Sequence, residues 1–181
     1  MPKLNILDEV MIQDNVEVNL DSLNIKIKGP KGELTRRIFY PKIKVRKEGS
    51  KIILESKNAS KKEKMFLKTV KAHIKNMIKG VTEGFTYSLK ICSGHFPMTV
   101  THEGNFIVIK NFLGEKIPRT AKILEEINVE IKKDIITLSG YNKELLGQTA
   151  ANLERSTKIT NRDRRRFQDG IYITSKAGVT L

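Results

Sequence analysis

The residues best suited to do chemistry lie near the end of the chain. They form the run Arg155-Ser156-Thr157-Lys158-Ile159-Thr160-Asn161-Arg162-Asp163-Arg164-Arg165-Arg166, which carries six positive charges and one negative. Five of the six are arginines: Arg155, Arg162, Arg164, Arg165 and Arg166 join Lys158. A guanidinium is a planar fork of N–H donors that grips two phosphate oxygens at once. The run has almost no apolar content from which to build a core, so its chemistry is recognition of a polyanion, with structured RNA as the first expectation. A solvated, frayed helix end has the same composition. Six neutralised phosphates would give a log–log salt slope of roughly −5 on the rule derived for DNA. Lys90, His95, Lys110, Lys116 and Arg119 lie in the same half of the chain and could add positioning contacts.

Other chemistry is poorly supported. Gly29-Pro30-Lys31-Gly32 lacks the spacing and the Lys-Ser/Thr of a phosphate-binding P-loop, and Pro30 removes an amide donor, so it reads as a turn. Cys92-Ser93-Gly94-His95 offers one thiol and one imidazole without a second pair, and His73 and His102 stand alone. No Ser/His/Asp or paired-carboxylate pattern stands out. The expectation is a chain that is not an enzyme, with no cofactor, no metal and no small-molecule substrate. Single-strand binding by base stacking is also disfavoured, because aromatic residues make up only 6% of the chain and tryptophan is absent. Backbone and shape recognition of folded RNA suits this composition better.

The net charge of +14 is carried in blocks. Residues 1–80 hold 19 Lys/Arg against 9 Asp/Glu, residues 81–151 hold 8 against 8, and residues 152–181 hold 7 against 3. The single cysteine excludes an internal disulfide framework. The start, Met-Pro-Lys-Leu-Asn-Ile, lacks the apolar core of a signal peptide, and no run reaches the length of a membrane span. A soluble, intracellular protein is expected.

The elements that must position these residues form a repeat. Val16, Val18 and Leu20 alternate, as do Leu23, Ile25 and Ile27, with the period of half-buried strands. Strands are also expected at Leu34–Phe39, Ile43–Val45 and Ile52–Leu54, with Glu48-Gly49-Ser50 as a hairpin turn. Ser60-Lys61-Lys62-Glu63 matches a helix capping box. Phe66, Val70, His73, Ile74 and Met77 then share one helix face, opposite a stripe of Lys64, Lys68, Lys71, Lys75 and Lys79. Gly80 is placed as the C-terminal cap. From about residue 85 the programme restarts. Ile25-x-Ile27-Lys28-x-x-x-Gly32-Glu33 recurs 82 positions later as Ile107-x-Ile109-Lys110-x-x-x-Gly114-Glu115, and Arg37 recurs as Arg119. A second helix, about Asn142 to Thr157, buries Leu145, Leu146, Thr149, Ala150 and Leu153, and Ile171-Tyr172-Ile173 follows as a last short strand. The reading is α+β. Two tandem duplicated domains, residues 1–82 and 83–181, each pair a small, mostly antiparallel sheet with one packed helix, and the second carries the basic segment.

These residues also resemble a known family. Ile27-Lys28-Gly29-Pro30-Lys31-Gly32, Gly94-His95-Phe96-Pro97, Gln148-Thr149-Ala150-Ala151-Asn152 and Arg164-Arg165-Arg166-Phe167-Gln168-Asp169-Gly170-Ile171-Tyr172 are similar to the large-subunit ribosomal proteins called six in the universal set and nine in eukaryotes. The ending resembles the eukaryotic and archaeal branch. It lacks the Pro-rich, Lys-Gly-Lys-Gly segment of bacterial members. The resemblance covers essentially the whole chain. It implies a non-catalytic role in the large subunit, on rRNA near the sarcin–ricin loop and the base of the factor-binding stalk, beside neighbouring large-subunit and stalk-base proteins. It further implies RNA contacts at His95, Phe96, around Gln148 and along the basic run through Arg166. The implied place is the cytoplasmic ribosome, with nucleolar assembly if the source is eukaryotic. Two rival readings remain open from the residues alone. One is a basic adaptor laying the Lys64–Lys79 stripe on acidic membranes, which would require the apolar face of that helix to be free of the core. The other is an RNA-processing enzyme or another non-ribosomal binder of structured RNA.

Overall fold

The computed structural model describes residues 4–21, 24–38, 40–94 and 96–181. The chain divides into two compact units, Met1–Gly84 and Phe85–Leu181. Among the described residues every strand pairing is antiparallel, and each unit carries one long helix. The protein is α+β, as its periodicities indicate, but each unit holds two sheets where one was expected.

The first unit runs β1 (Leu4–Met11), β2 (Glu17–Asp21), β3 (Asn24–Gly29), β4 (Gly32–Arg37), β5 (Lys44–Glu48), β6 (Lys51–Ala59) and α1 (Lys61–Thr82). The sheets are β2-β3-β4 and β1-β6-β5. Alternation does the work in both. Val18, Ile25, Ile27, Ile52 and Leu54 point inward and are buried against Leu67, Val70, Ile74 and Met77 of α1. The apolar face of α1 is therefore consumed by the core, which removes the condition for the membrane-adaptor reading. Strand β1 escaped the sequence reading because Ile6 and Leu7 are adjacent and Val10 and Met11 are adjacent, which hides the period of two. The expected strand position Phe39 and the position Leu23 lie outside the described residues.

The capping box of α1 forms as expected. The Ser60 hydroxyl accepts from the Lys62 amide at 3.3 Å, and the Glu63 carboxylate accepts from the Ser60 amide at 2.8 Å. Hydrogen bonds from the Ser60 hydroxyl, the Lys42 ammonium and the Ser60 amide hold the Glu63 carboxyl down to about 2. Gly80 is not the cap: the helix continues two residues further, Glu83 donates its amide to Lys79, and the chain leaves through Gly84 at φ +78°. Gly80 is instead buried within the helix. His73 is not a core residue either. It is half-buried, with its Nε2 3.2 Å from Nη2 of Arg36.

Gly29-Pro30-Lys31-Gly32 is a two-residue connection between β3 and β4, with Gly29 paired to Gly32. It also closes the end of α1. The Lys31 amide donates to the Val81 carbonyl at 2.9 Å, and the Lys31 ammonium donates to the Glu83 carbonyl. A Cβ on Gly29 would stand 2.7 Å from the Val81 side chain and 2.9 Å from its carbonyl oxygen. Gly29→Ala is therefore expected to destabilise the first unit by about 1–3 kcal/mol, because the turn must back away from the helix end. Urea unfolding of the full chain followed by circular dichroism measures this.

The second unit runs β7 (Phe85–Cys92), β8 (Thr99–Glu103), β9 (Phe106–Lys110), β10 (Arg119–Lys122), β11 (Asn128–Lys132), β12 (Ile135–Gly140), α2 (Lys143–Ser156), β13 (Gly170–Lys176) and β14 (Val179–Thr180). Its sheets are β10-β9-β8 and β11-β12-β7-β13-β14. Ile107 and Ile109 are buried like their counterparts Ile25 and Ile27, and they join Leu89, Ile136, Leu138, Leu146 and Leu153 in the second core. Leu145, expected in that core, is only half-buried. The last strand is larger than its three apolar residues suggested. Strand β13 spans seven residues and lies inside the sheet, between β7 and β14.

One stretch of the repeat is equal in sequence and unequal in structure. Leu34 stands opposite Ile27, whereas Arg119 stands opposite Ile109. The two-residue turn of the first unit thus becomes the eight-residue loop 111–118 in the second. Arg37 is exposed at the end of β4, whereas Arg119 is half-buried.

Candidate nucleic-acid interface

Three loops at one end of the second unit are tied to one another. The first comprises residues 93–94 and 96–98, the second is the loop 111–118 with Arg119 behind it, and the third joins α2 to β13 and contains most of the basic run. Asn111 sits at φ +60° and donates its side-chain amide to the Pro97 carbonyl at 3.0 Å. A short 3-10 turn follows at Phe112–Gly114. Phe112 is buried in the core and anchors the loop. Gly114 has φ +79°, a conformation that calls for glycine, and the Phe96 ring lies beside it, 3.5 Å from where a Cβ would stand. The Phe96 ring is thereby placed against the 3-10 turn with an exposed edge.

Arg119 holds the second loop to the third. Its Nε and Nη2 donate to the two oxygens of Glu115, at 2.8 and 2.6 Å, and its Nη1 donates to the carbonyls of Ser156 and Lys158, at 2.8 and 3.2 Å. Its guanidinium also lies 4.3 Å from the centre of the Phe112 ring. Expected as an RNA contact, Arg119 instead spends its donors inside the protein, at the carbonyl end of α2 where a cation is favoured. The hydrogen-bonded Arg119, helped by the charge of Arg162, keeps the Glu115 carboxyl below the usual range.

The third loop is pinned at both ends. At its start the buried Thr157 hydroxyl accepts from the Ile171 amide at 2.9 Å, and Ile159 is buried beside it. At its end the buried Asp169 accepts the Gly94 amide proton, joining it to the first loop. Residues 160–168 are exposed between these anchors. The Arg162 guanidinium stacks 5.0 Å from the centre of the Phe167 ring. Asp163 accepts from the Arg165 amide and guanidinium at 3.0–3.2 Å, which lowers its carboxyl below the ordinary value. This pair is exposed and worth little on its own, so Arg165 can exchange it for a phosphate. Among the described residues, Arg164 and Arg166 form no ion pair.

The other expected residues fall around this cluster. Lys116 is exposed on the second loop, and Lys110 is exposed at the end of β9, directly before Asn111. Lys158 is exposed just after α2. Lys90, on β7, lines an open cleft with Cys92, Gly94, Asp134, Gln168 and Tyr172, beside the end of the third loop. Gln148 is exposed on α2 and donates to Asn152 at 2.9 Å. Its steps of four and seven residues to Asn152 and Arg155 put all three on one face, a polar line descending toward the basic loop. His95 lies outside the described residues.

Sequence reasoning did not assign roles to Asn111, Phe112, Glu115, Thr157 or Asp169. Glu115 had a usable signal, since it stands four residues before Arg119. Asp169 had none, because its partner Gly94 is 75 positions away. Asp169→Ala is expected to cost about 1–3 kcal/mol by stranding the Gly94 amide, whereas Asp169→Asn, which keeps an acceptor, costs less. Urea unfolding of the two variants measures this difference.

Comparison with known proteins agrees with this architecture over both units. The sequence model of the family described as "Ribosomal protein L6" matches twice, at residues 12–84 and 96–170. A "Large ribosomal subunit protein uL6" of Methanococcus vannielii is 46% identical over 176 residues, covering 97% of this chain and 97% of that protein. One of Methanobrevibacter smithii is 48% identical over 171 residues, covering 94% and 96%. The two matched segments reproduce the internal duplication, the archaeal relatives extend across nearly the whole chain, and so the chain belongs to the ribosomal protein L6 family.

Proposed function

We propose that this protein is a structural constituent of the large ribosomal subunit and that the tied loops of its second unit dock on ribosomal RNA. The observation that carries the reading is the basic loop 158–168, exposed in its middle, fastened at both ends, and joined through Arg119 and Asp169 to two neighbouring loops. Such a platform presents arginines from a fixed base and reads an RNA backbone by shape and charge. Arg155, Lys158, Arg162, Arg164, Arg165 and Arg166 supply the counter-charge, with Lys90, Lys110 and Lys116 at the margins. Phe96 and Gln148 supply non-ionic contacts, as does His95, the residue before Phe96 in the sequence. The docking place proposed is rRNA near the sarcin–ricin loop and the base of the factor-binding stalk, beside neighbouring proteins of the subunit, on ribosomes in the cytoplasm. No catalytic step is assigned.

Sucrose-gradient fractionation of lysate at low and high salt tests the proposal. Co-migration with the large subunit that resists moderate salt is the expected result. Migration at the top of the gradient at low salt would reject it.

A further inference from the structure

The internal duplication contains a vacancy. In the second unit, β7 is followed across the sheet by β12 on one side and β13 on the other. In the first unit, the strand equivalent to β7 is β1, which pairs with β6 on one side only and forms the edge of its sheet among the described residues. Among the described residues, the position that β13 fills beside β7 has no counterpart beside β1.

The open edge is built to pair. The Ile12 amide donates to the Ser50 carbonyl at 2.8 Å, and the register from Met11↔Lys51 to Ile6↔Ser56 is unbroken. Antiparallel ladders alternate, so Ile12, Val10 and Asp8 turn their backbone groups to β6. Leu7, Glu9 and Met11 consequently turn theirs to the open side. The same residues project side chains onto the outer face, where Leu7 is 61% and Met11 64% exposed. Edge strands of soluble proteins are usually blunted by charge, proline or bulges. Here the bulge between Leu4 and Ile6 blunts only the first end, and the charge on Glu9 is partly answered by Lys51 at 2.9 Å.

We infer that the β1 edge is a docking site for an extended segment of a partner protein, which adds antiparallel beside Leu7, Glu9 and Met11 as β13 adds beside β7. A polypeptide is favoured over RNA for two reasons. A row of alternating N–H and C=O groups is matched by another strand, and the Leu7 and Met11 side chains offer a phosphate backbone nothing. Cross-strand pairing fixes the partner's chemistry, with apolar residues beside Leu7 and Met11 and a basic residue beside Glu9. Asp8, on the opposite face, is already held by Lys71 of α1.

The test places the photo-crosslinking residue p-benzoylphenylalanine at Leu7 in the full chain, irradiates cells, purifies the chain under denaturing conditions and identifies the adducts by mass spectrometry. The expected result is attachment to one extended segment of another protein with alternating apolar and basic residues. Glu9→Pro should lower that yield about tenfold, because it removes one edge amide and puts a ring where the partner strand lies. The Glu9 amide is not used by β6, so the fold should survive, as circular dichroism will show, and Glu9→Gln, which keeps the amide and drops only the charge, should lower the yield far less than proline does. Adducts to RNA, adducts to a second copy of this chain, no adduct, or a yield indifferent to proline would each overturn the inference. The gradient position of the same chain is scored separately, so a failure of the ribosomal reading shows there and not in the crosslink.

Discussion

Arg119→Ala is expected to lower the stability of the second unit by about 3 kcal/mol, with no RNA present. The estimate sums two hydrogen bonds to the Ser156 and Lys158 carbonyls at about 1 kcal/mol each, a cation–π contact with Phe112 at about 0.5–1, and a small remainder from Glu115. The remainder is small because the Arg119 and Glu115 side chains keep 27% and 39% of their exposure, so solvent screens the pair. Arg119→Lys should recover less than half of the loss, since one ammonium cannot reach a carboxylate, two carbonyls and a ring face together. Urea unfolding of the full chain, read by circular dichroism, decides the matter. A residue serving only as a phosphate ligand would leave the isolated protein as stable as before.

The same pair carries a pH signature. Arg119 lowers the folded-state carboxyl of Glu115, so the stabilisation is complete above the unfolded glutamate value of about 4.3 and is lost as pH falls through the depressed folded value. The gap between wild type and Arg119→Ala should therefore narrow in that acidic window and stay level at neutral pH. The carbonyl bonds and the ring contact do not titrate, so a residual gap remains at the acid end.

Arg119 also marks where the sequence is legible. The strands around Ile25, Ile27, Ile107 and Ile109, both helix starts and the duplication can be read because each rests on local periodicity or on a cap a few residues long. The limits are equally physical. Strand β1 is hidden because adjacent apolar residues, one turned inward and one outward, erase the alternation. The equal spacing of Arg37 and Arg119 suggests equivalent roles, yet loop 111–118 opens a turn that the first unit keeps closed, and the register moves with it. Charge alone places Arg119 among the anion-binding residues. Only the tertiary fold reveals that carbonyls from residues 37 and 39 positions away occupy its donors. Of the exposed arginines in residues 162–166, Arg164 and Arg166 meet no such internal demand among the described residues, so for them the fold leaves the reading from composition in place.

Reversing Arg162, Arg164 and Arg166 together to glutamate is expected to weaken binding of the full chain to purified large-subunit rRNA by at least about 500-fold at 0.1 M salt. Each phosphate contact releases about 0.9 of a counterion on the duplex rule, which at 0.1 M is worth close to one decade of affinity, and three contacts multiply. Repulsion from the new carboxylates adds to this. The log–log salt slope should become shallower by about 2–3 units, a quantity that does not depend on how well the RNA is folded. Stability should change by no more than about 1 kcal/mol, most of it from the lost Arg162–Phe167 contact, because all three side chains are exposed and the anchors at Thr157 and Asp169 are untouched. The pairing of a large binding loss with an intact fold separates these arginines from Arg119, whose removal is expected to damage the fold first. An unchanged slope in the triple variant would mean that the loop faces solvent in the complex, and the RNA-contacting role would pass to Lys90, Lys110 and Lys116.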